Sequence, residues 1–304
     1  MPNLIIVQTA TSVNCNQHSD FPFKIKPNVS VYHSDSNPGA KTDTSLVEIF
    51  IEFKWNSGND PFCDLHDINV SCSYCRMSDV VKLFLHETKS SNDTLGQITS
   101  YAAAQLTSQY CTHVYSVFIM KNTARILQWD RLGMIMMEAI KSPLLAKFFC
   151  HYSVASPGMH GNDQSVSVPT PVEAAESRQV LGLGNNVPLV KLQVPGACSS
   201  PLFFITSAPR AMPYMPPGCA TCGSPAYDML QRKRVFLKDS WRVDLLDIQA
   251  KGLTYKMLKD AQVCNIPHCL TSGDISTTVY HTTKAHIFAP KICVCHPHSH
   301  VIPH

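Results

Sequence analysis

The clearest alternation of hydrophobic and polar residues is SLVEIFIEFKW at residues 45–55. Side chains two residues apart lie on the same face of a β-strand, so this pattern predicts a strand. One predicted face carries Val47, Ile49, Ile51 and Phe53, and the other carries Glu48, Phe50, Glu52 and Lys54.

A helical spacing follows further along the chain. Apolar or small residues recur at Ile98, Tyr101, Ala102 and Leu106, which lie on one face of a helix. Thr94 and Gly96 precede this run and are residue types found near helix starts. The pattern therefore predicts a helix over residues 97–109.

The next two segments predict a β-hairpin. HVYSVFIM (113–120) and ARILQWD (124–130) are rich in β-branched and aromatic residues and are separated by a short KNT turn. A helix is predicted at roughly 134–151. It is expected to break before Pro143, since proline disfavours helical backbone in the residue before it.

The composition changes at Ser156, which we take as a boundary. Residues 156–200 are rich in Gly, Pro, Ser and Asn and predict a linker with some ordered strands. Residues 201–280 predict a strand at LFFIT, a glycine-containing turn, a strand at RVFLKDSW and a helix near 250–261. Residues 281–304 are biased in Cys and His without a core period, and we expect a disordered tail. The expected fold class is α+β.

Bulk composition excludes several classes of protein. Hydrophobic residues make up 44% of the chain and charged residues 15%, which is too apolar for a disordered chain. No segment approaches the roughly 20 apolar residues that span a bilayer. The 13 cysteines come without a recognisable signal segment, so we expect mostly reduced thiols and a cytoplasmic or nuclear location. The formal charge of +3 is too small to argue for or against a nucleic-acid partner.

One set of polar residues has the composition of a metal-dependent site. Glu52 and Lys54 share a predicted strand face, where a carboxylate could hold a hard cation and a lysine could orient water. Gln97 and Tyr101, in QITSY, lie one helical turn apart on the same side of the next helix. The alternative is that Glu52 and Lys54 form an exposed ion pair on a solvated sheet face.

The order of these residues resembles the restriction-endonuclease-like PD-(D/E)XK fold, in which Pro-Asp begins the preceding strand. The matching segment is IKPNVSVY (25–32), where Pro27 is followed by Asn28. An amide offers a metal one neutral oxygen, so affinity for a divalent cation should fall steeply. We therefore expect residues 20–155 to be nuclease-like in shape and inactive in chemistry, with no metal bound.

A second resemblance covers roughly residues 20–280. GCATCGSPAYD (218–228) and RVFLKDSWR (234–242), together with GQITSY, ARILQWDRLG and GNDQSV, resemble the fungal-type protein kinase domain family in the family's order. The resemblance implies that residues 201–280 are part of a kinase N-lobe. Members of that family run from such an N-terminal module into a protein kinase.

The resemblance also implies roles for individual residues. Gly218 and Gly223 match the glycine turn over the nucleotide phosphates, where backbone N–H groups can approach an anion. Lys238, in FLKDSW, matches the lysine that contacts the α- and β-phosphates. Cys219 and Cys222 stand where the family has basic residues, which removes positive charge from the loop.

Two parts of the kinase machinery are missing from the sequence. The helix expected to supply an acid to pair with Lys238 has Lys251 and Leu253 at the acidic positions before Tyr255. No HRD or DFG triplet occurs, although these motifs supply the catalytic base and the magnesium ligand. We therefore expect a truncated and catalytically inactive member of the family.

The expected function is a binding or scaffold module with an unknown protein partner. No cofactor is expected, ATP and Mg²⁺ being implied only by family resemblance, and neither a nucleic-acid partner nor a membrane is expected. Two alternatives stay open: a residual metal-dependent nuclease in the N-terminal module, and a kinase whose C-lobe is supplied by a longer product or another chain.

Cysteine and histidine clusters offer a further alternative. Cys72 and Cys75 form one CxxC pair and Cys219 and Cys222 form another, each the half-site spacing of structural zinc. The pairs are far apart in sequence, so a joint zinc site is not expected. The tail could bind a transition metal adventitiously through several residues. These are Cys293, Cys295, His296, His298, His300 and His304.

Overall fold

The computed structural model describes residues 3–11, 24–36, 42–64, 85–86, 88–196, 200–207, 221–243, 249–275, 283–284 and 295–303. The strands are β1 (Leu4–Gln8), β2 (Val29–His33), β3 (Val47–Phe53), β4 (His113–Ile119), β5 (Ala124–Asp130), β6 (Met134–Met136), β7 (Val166–Ser167), β8 (Leu189–Val194), β9 (Leu202–Ser207), β10 (Cys222–Asp228), β11 (Lys233–Val243), β12 (Thr271–Asp274) and β13 (Cys295–Pro303). The helices are α1 (Lys89–Ser108), α2 (Ser142–Tyr152), α3 (Pro157–His160), α4 (Pro171–Leu181) and α5 (Lys251–Asp260). The chain is a mixture of helices and sheets, which confirms the α+β class.

The first sheet has the strand order β1-β2-β3-β4-β5-β6. Its neighbouring strands are antiparallel except for β3 and β4, which run parallel. Parallel neighbours require a crossover connection, and α1 lies within that connection. The predicted hairpin of residues 113–120 and 124–130 is confirmed by the antiparallel pairing of β4 with β5.

Helix α1 begins earlier than the sequence predicted. Thr88 caps it: its hydroxyl accepts from the Ser91 N–H, and the Ser91 hydroxyl in turn accepts from the Thr88 N–H. This reciprocal capping supplies partners to N–H groups that no helical carbonyl can reach. The prediction that the helix starts near residue 97 was wrong, because this cap fixes the start and Gly96 is tolerated inside the helix.

The prediction that strand β3 alternates strictly was also wrong. Val31 pairs with Ile49, but the next residue of β2, Tyr32, pairs with Val47, so Glu48 is an extra residue in the ladder. Such a bulge turns the residues before it relative to those after it. Val47 consequently packs in the same core cluster as Phe50, on the α1 side of the sheet.

The helix predicted at 134–151 is a strand followed by a shorter helix. Met134–Met136 pairs with β5, and α2 begins only at Ser142, with Pro143 in its first turn. Proline is accepted there because the first N–H groups of a helix have no intrahelical partner. The apolar run before Pro143 is therefore used as the edge strand β6.

The second sheet has the strand order β12-β13-β11-β10-β9-β8-β7, with all neighbours antiparallel. Residues 156–200, expected to be a linker with some strands, contribute β7 and β8 to this sheet and also contain α4. Thr170 and Glu173 form a capping box at the start of α4, and Gly182 ends it in a left-handed conformation. The polar composition of this segment thus reflects caps and turns.

Two other expectations for the C-terminal half were wrong. Gly223 lies on strand β10, not in a turn, and residues 295–303 of the expected disordered tail form β13 between β11 and β12. The strand predicted at LFFIT is confirmed as β9, and the helix predicted near 250–261 is confirmed as α5.

The two sheets contact each other around the end of α1. Tyr110 packs against the core cluster of the second sheet, which includes Leu192 and Val194. The Lys284 N–H donates to Asp130 at the end of β5, 2.5 Å away. None of the described helices combines the length and apolar character needed to cross a membrane.

Candidate functional site

Asn28, Glu52, Lys54, Gln97 and Tyr101 lie together in the structure, and we call this group the polar cluster. Asn28 directly precedes β2, Glu52 is on β3 and Lys54 follows it. Gln97 and Tyr101 project from α1, which packs on this face of the sheet. The five residues are joined by a continuous set of hydrogen bonds and one ion pair.

Glu52 is the centre of the polar cluster. Its side chain is only 4% exposed, and its Oε1 lies 2.9 Å from Lys54 Nζ. The Asn28 N–H lies 3.4 Å from Oε2, a long hydrogen bond. Both carboxylate oxygens therefore already have a donor within the protein.

Asn28 is held by the strand beside it. The Phe53 N–H donates to Asn28 Oδ1 at 2.8 Å, so the side-chain oxygen replaces a ladder acceptor at the end of β2. An oxygen used in this way has one remaining lone pair and no net charge.

Gln97 and Tyr101 extend the network onto α1. Lys54 Nζ donates to Gln97 Oε1 at 2.8 Å, Gln97 Nε2 donates to the Tyr101 hydroxyl at 2.6 Å, and that hydroxyl donates to the Lys26 carbonyl at 2.8 Å. Burial and then the charge of Glu52 raise the pKa of Tyr101 to about 12, against a smaller lowering by Gln97. Tyr101 is therefore a neutral phenol at physiological pH and acts as a relay of hydrogen bonds.

The donor set of the polar cluster does not fit a tightly bound Mg²⁺ or Mn²⁺. Hard cations prefer several oxygen ligands with negative charge. Here the one carboxylate, Glu52, is compensated by Lys54, and Asn28 and Gln97 are neutral amides. Elsewhere in the described ranges, no three His, Cys, Asp or Glu side chains are arranged to hold a metal ion.

Of the residues to which the kinase resemblance assigns a role, Gly223 and Lys238 lie within the described structure. Gly218 and Cys219 lie outside the described residues. Gly223 pairs with Lys238 across β10 and β11, and a Cβ at Gly223 would lie 2.8 Å from the Phe236 ring. Glycine at this position leaves room for the Phe236 ring to pack against the backbone of β10. Packing therefore explains the glycine without any bound phosphate.

Helix α5 offers Lys238 no acid within its body. Its only acidic residue is Asp260, the last residue of the helix. Gly252 is the only buried residue of α5, while Leu253 and Met257 are more than half exposed. Within the described ranges, α5 therefore meets the sheet mainly at its first turn.

The cysteine and histidine candidates do not converge in the described structure. Cys72, Cys75, Cys293 and His304 lie outside the described residues. Cys222 lies at the start of β10. The remaining tail candidates lie along β13, where only the backbone pairing is described. These are Cys295, His296, His298 and His300.

Sequence reasoning missed a second buried polar group on the opposite face of the first sheet. Glu48 Oε2 accepts from the Tyr152 hydroxyl at 2.8 Å and lies 3.0 Å from His160 Nδ1. Burial lowers the pKa of His160, but the hydrogen bond and charge of Glu48 outweigh it, so the pKa is raised. The bulge at Glu48 creates this group, and strict alternation along the strand conceals it.

A buried ion pair was also missed. Arg125, on β5, donates to Asp60 from Nε at 3.2 Å and from Nη2 at 2.9 Å, and its Nη1 pairs with Asp64. The Arg125 side chain is 3% exposed. The signal in the sequence is an arginine next to the apolar residues Ala124, Ile126 and Leu127, since a charge buried among such residues requires a partner.

No known protein family model, curated protein or solved structure matches this chain.

Proposed function

We propose that this chain is a non-catalytic binding or scaffold protein, related to the fungal-type protein kinase domain family, whose nuclease-like polar cluster serves structure and not cleavage. The observation that carries the proposal is that the oxygen atoms of the polar cluster already accept hydrogen bonds from the protein. Both oxygens of Glu52 and the side-chain oxygen of Asn28 are used by donors from the protein itself.

Charge balance supports the absence of cleavage. A nuclease site gathers negative charge so that a divalent cation is held and can position the attacking water. The polar cluster contains one carboxylate and one ammonium group, and the charges of Glu52 and Lys54 cancel at 2.9 Å. A cation entering this site would have to displace Lys54 and would gain no further anionic ligand.

The second sheet supports a kinase-related origin without kinase chemistry. In protein kinases the phosphate-binding lysine lies on the third strand and pairs with a glutamate from the helix that follows. Here Lys238 lies on β11, the third strand of the antiparallel run β9-β10-β11, and α5 follows it. Because α5 carries only Asp260 as an acid, at its end, the Lys–Glu pair that activates the nucleotide cannot form from this helix.

The test measures metal binding and cleavage in parallel. Manganese is titrated by calorimetry into wild type, Asn28→Asp and Asn28→Asp/Glu52→Ala, and each protein is incubated with supercoiled plasmid. We expect wild type to bind manganese weakly and to leave the plasmid intact. Asn28→Asp should bind more tightly, because it adds a second carboxylate beside Glu52 while keeping the acceptor for the Phe53 N–H.

A matched control separates the position of the new charge from its mere presence. Asn185 lies in an exposed turn between α4 and β8, so Asn185→Asp makes the same chemical change away from the polar cluster. This variant should bind manganese as wild type does. Equal affinity of wild type and Asn28→Asp would show that position 28 does not face a metal.

A metal-dependent nuclease is the second candidate. The observation that favours it is that residues from β2, β3 and α1 meet in the order of the nuclease-like motif. Plasmid nicking by wild type that disappears in Glu52→Ala would establish this function and overturn the proposal above. ATP-dependent phosphorylation by the purified chain would also overturn the proposal that the chain is non-catalytic.

A further inference from the structure

A cleft of about 550 Å³ lies between α5 and the segment that leads into β12. Its walls come from one continuous stretch of chain, residues 252–272. The cleft is separate from the polar cluster, and neither sequence resemblance assigns it a role. Ligand pockets in proteins commonly have volumes of roughly 300 to 1,000 Å³, so the cleft is large enough for a small organic molecule.

The backbone fixes both ends of the cleft. At one end α5 touches β12 so closely that a Cβ at Gly252 would lie 1.6 Å from Ser272 Oγ. At the other end the chain reverses through Gln262 and Asn265, which have φ values of 54° and 61°. The helix and the returning segment are thus held in contact at Gly252 and apart further along, which leaves the space between them.

The lining combines apolar walls with a basic rim. Val263, Ile266 and Leu270 contribute apolar surface, and the basic residues are Lys256, Lys259 and His268. Lys259 Nζ lies 3.1 Å from His268 Nε2, so these two side chains share one side of the opening. No acidic residue belongs to the described lining. An apolar body would bury against the walls while an anionic head met the lysines.

We propose that the α5–β12 cleft binds a small amphiphilic organic anion, of the class of medium-chain or aromatic carboxylates. Charge complementarity selects an anion over a cation, because the rim carries the two lysines Lys256 and Lys259. The apolar walls select a ligand with a hydrocarbon body over inorganic phosphate or a free nucleotide phosphate, which would leave Val263 and its neighbours exposed to water.

The probe is decanoate, titrated by calorimetry into the full chain, with decyltrimethylammonium as the cationic counterpart of equal chain length. Lys256→Met/Lys259→Met removes the positive charge of the rim and keeps an apolar stem of similar length. We expect saturable decanoate binding in wild type and about tenfold weaker binding in the double variant, since two exposed charges each contribute a modest attraction.

Two control variants, Lys251→Met and Leu253→Asp, lie on α5 outside the lining of the cleft. Lys251→Met removes a lysine of α5 that does not line the cleft, and it should bind decanoate as wild type does. Val263→Asp places a negative charge on the apolar wall and should weaken binding, whereas Leu253→Asp places it at an exposed position outside the lining and should not. Exposed positions were chosen so that each variant folds, and circular dichroism checks this.

The outcomes are decisive in either direction. The proposal is overturned by absent or non-saturable decanoate binding, by equal binding of decyltrimethylammonium, or by equal affinity of wild type and the double lysine variant. An acidic peptide with one tryptophan is titrated as well. Tighter binding of that peptide than of decanoate would make the cleft a peptide-docking site and would also overturn the proposed ligand class. Cleavage assays report on residues 28 to 101, so this inference and the proposed function can fail independently.

Discussion

His160 stacks on Tyr152, with 4.1 Å between the ring centroids and 17° between the ring planes. Glu48 holds both rings, since its Oε2 accepts from the Tyr152 hydroxyl and lies beside His160 Nδ1. The other imidazole nitrogen, Nε2, lies 2.7 Å from the Tyr152 carbonyl. With both nitrogens next to acceptors, the protonated imidazolium is the form that the site favours.

This arrangement predicts a pH-dependent contribution to stability. The pKa of His160 is raised in the folded state, so the contribution is complete below the unfolded-state value of about 6.5 and is lost as pH rises through the higher folded-state pKa. Glu48→Gln should therefore lower the free energy of unfolding more at about pH 5.5 than at about pH 9. The difference should be on the order of 1 kcal/mol or less, because the pair is partly solvated.

Urea unfolding of wild type and Glu48→Gln at both pH values measures this difference. His113 also lies nearby, and burial lowers its pKa, but it is present in both proteins and its effect cancels in the comparison. His151→Gln, an exposed histidine of α2, serves as the control. A stability difference that is constant or grows with pH would contradict the role of Glu48.

The buried pair of Arg125 and Asp60 predicts a large and non-additive effect on stability. Arg125→Leu alone should cost about 3 to 5 kcal/mol, because it leaves the buried Asp60 carboxylate without its partner. Asp60→Asn should cost less, because Arg125 keeps its ion pair with Asp64. The double variant should cost less than the two single costs added together. Denaturant unfolding of the three variants gives the coupling free energy, and a value near zero would mean that the pair contributes no mutual stabilisation.

Two glycines with positive φ predict different costs for the same substitution. A Cβ at Gly161, where φ is +97°, would lie 1.9 Å from the His113 carbonyl oxygen, whereas at Gly182, where φ is +67°, nothing lies within 4 Å. Gly182→Ala should cost about 1 to 2 kcal/mol, the ordinary penalty of a left-handed residue. Gly161→Ala should cost more, because β4 must also move away from the turn that follows α3. Thermal unfolding compares the two, and equal costs would show that the contact relaxes freely.

Nucleotide binding is predicted to be weak or absent. Lys238 has no acid from the body of α5 to position it, and Cys222 adds no positive charge on the neighbouring strand β10. Calorimetric titration of ATP with magnesium should show no saturation at micromolar concentrations. A low-micromolar dissociation constant that is lost in Lys238→Ala but retained in Lys233→Ala, at the exposed start of the same strand, would contradict this prediction.

Elements with strong local signals were predictable from sequence. The β4–β5 hairpin follows from two β-rich segments around a short turn, and the helix predicted near 250–261 is confirmed as α5. Glu52 and Lys54 were found because the strand period places them on one face, and Gln97 and Tyr101 because they lie one helical turn apart. Asn28 was found only through the resemblance to the nuclease-like fold. Their neighbourhood in space follows from the crossover between two parallel strands.

Features that depend on tertiary pairing were not predictable. The bulge at Glu48 appears only when β2 and β3 are paired, and it moves a carboxylate to the opposite face. Met134–Met136 has no polar alternation and joins the sheet because β5 offers an unpaired edge. The tail residues of β13 become a strand because β11 and β12 lie on either side of them. In each case the neighbouring strand determines the local structure, and the sequence of one segment does not show which strand it will pair with.

The parallel pairing of β3 with β4 also implies an order of assembly. β4 can pair with β5 through a turn of a few residues, but it can meet β3 only after α1 and the chain before it have closed a long loop. Closing such a loop costs entropy before any contact repays it, so non-local pairings of this kind form late. The polar cluster spans this junction, with Glu52 on β3 and Gln97 on α1. The polar cluster can therefore form only after β3 has paired with β4. Time-resolved hydrogen exchange of its hydrogen-bonded groups would show when the native sheet forms.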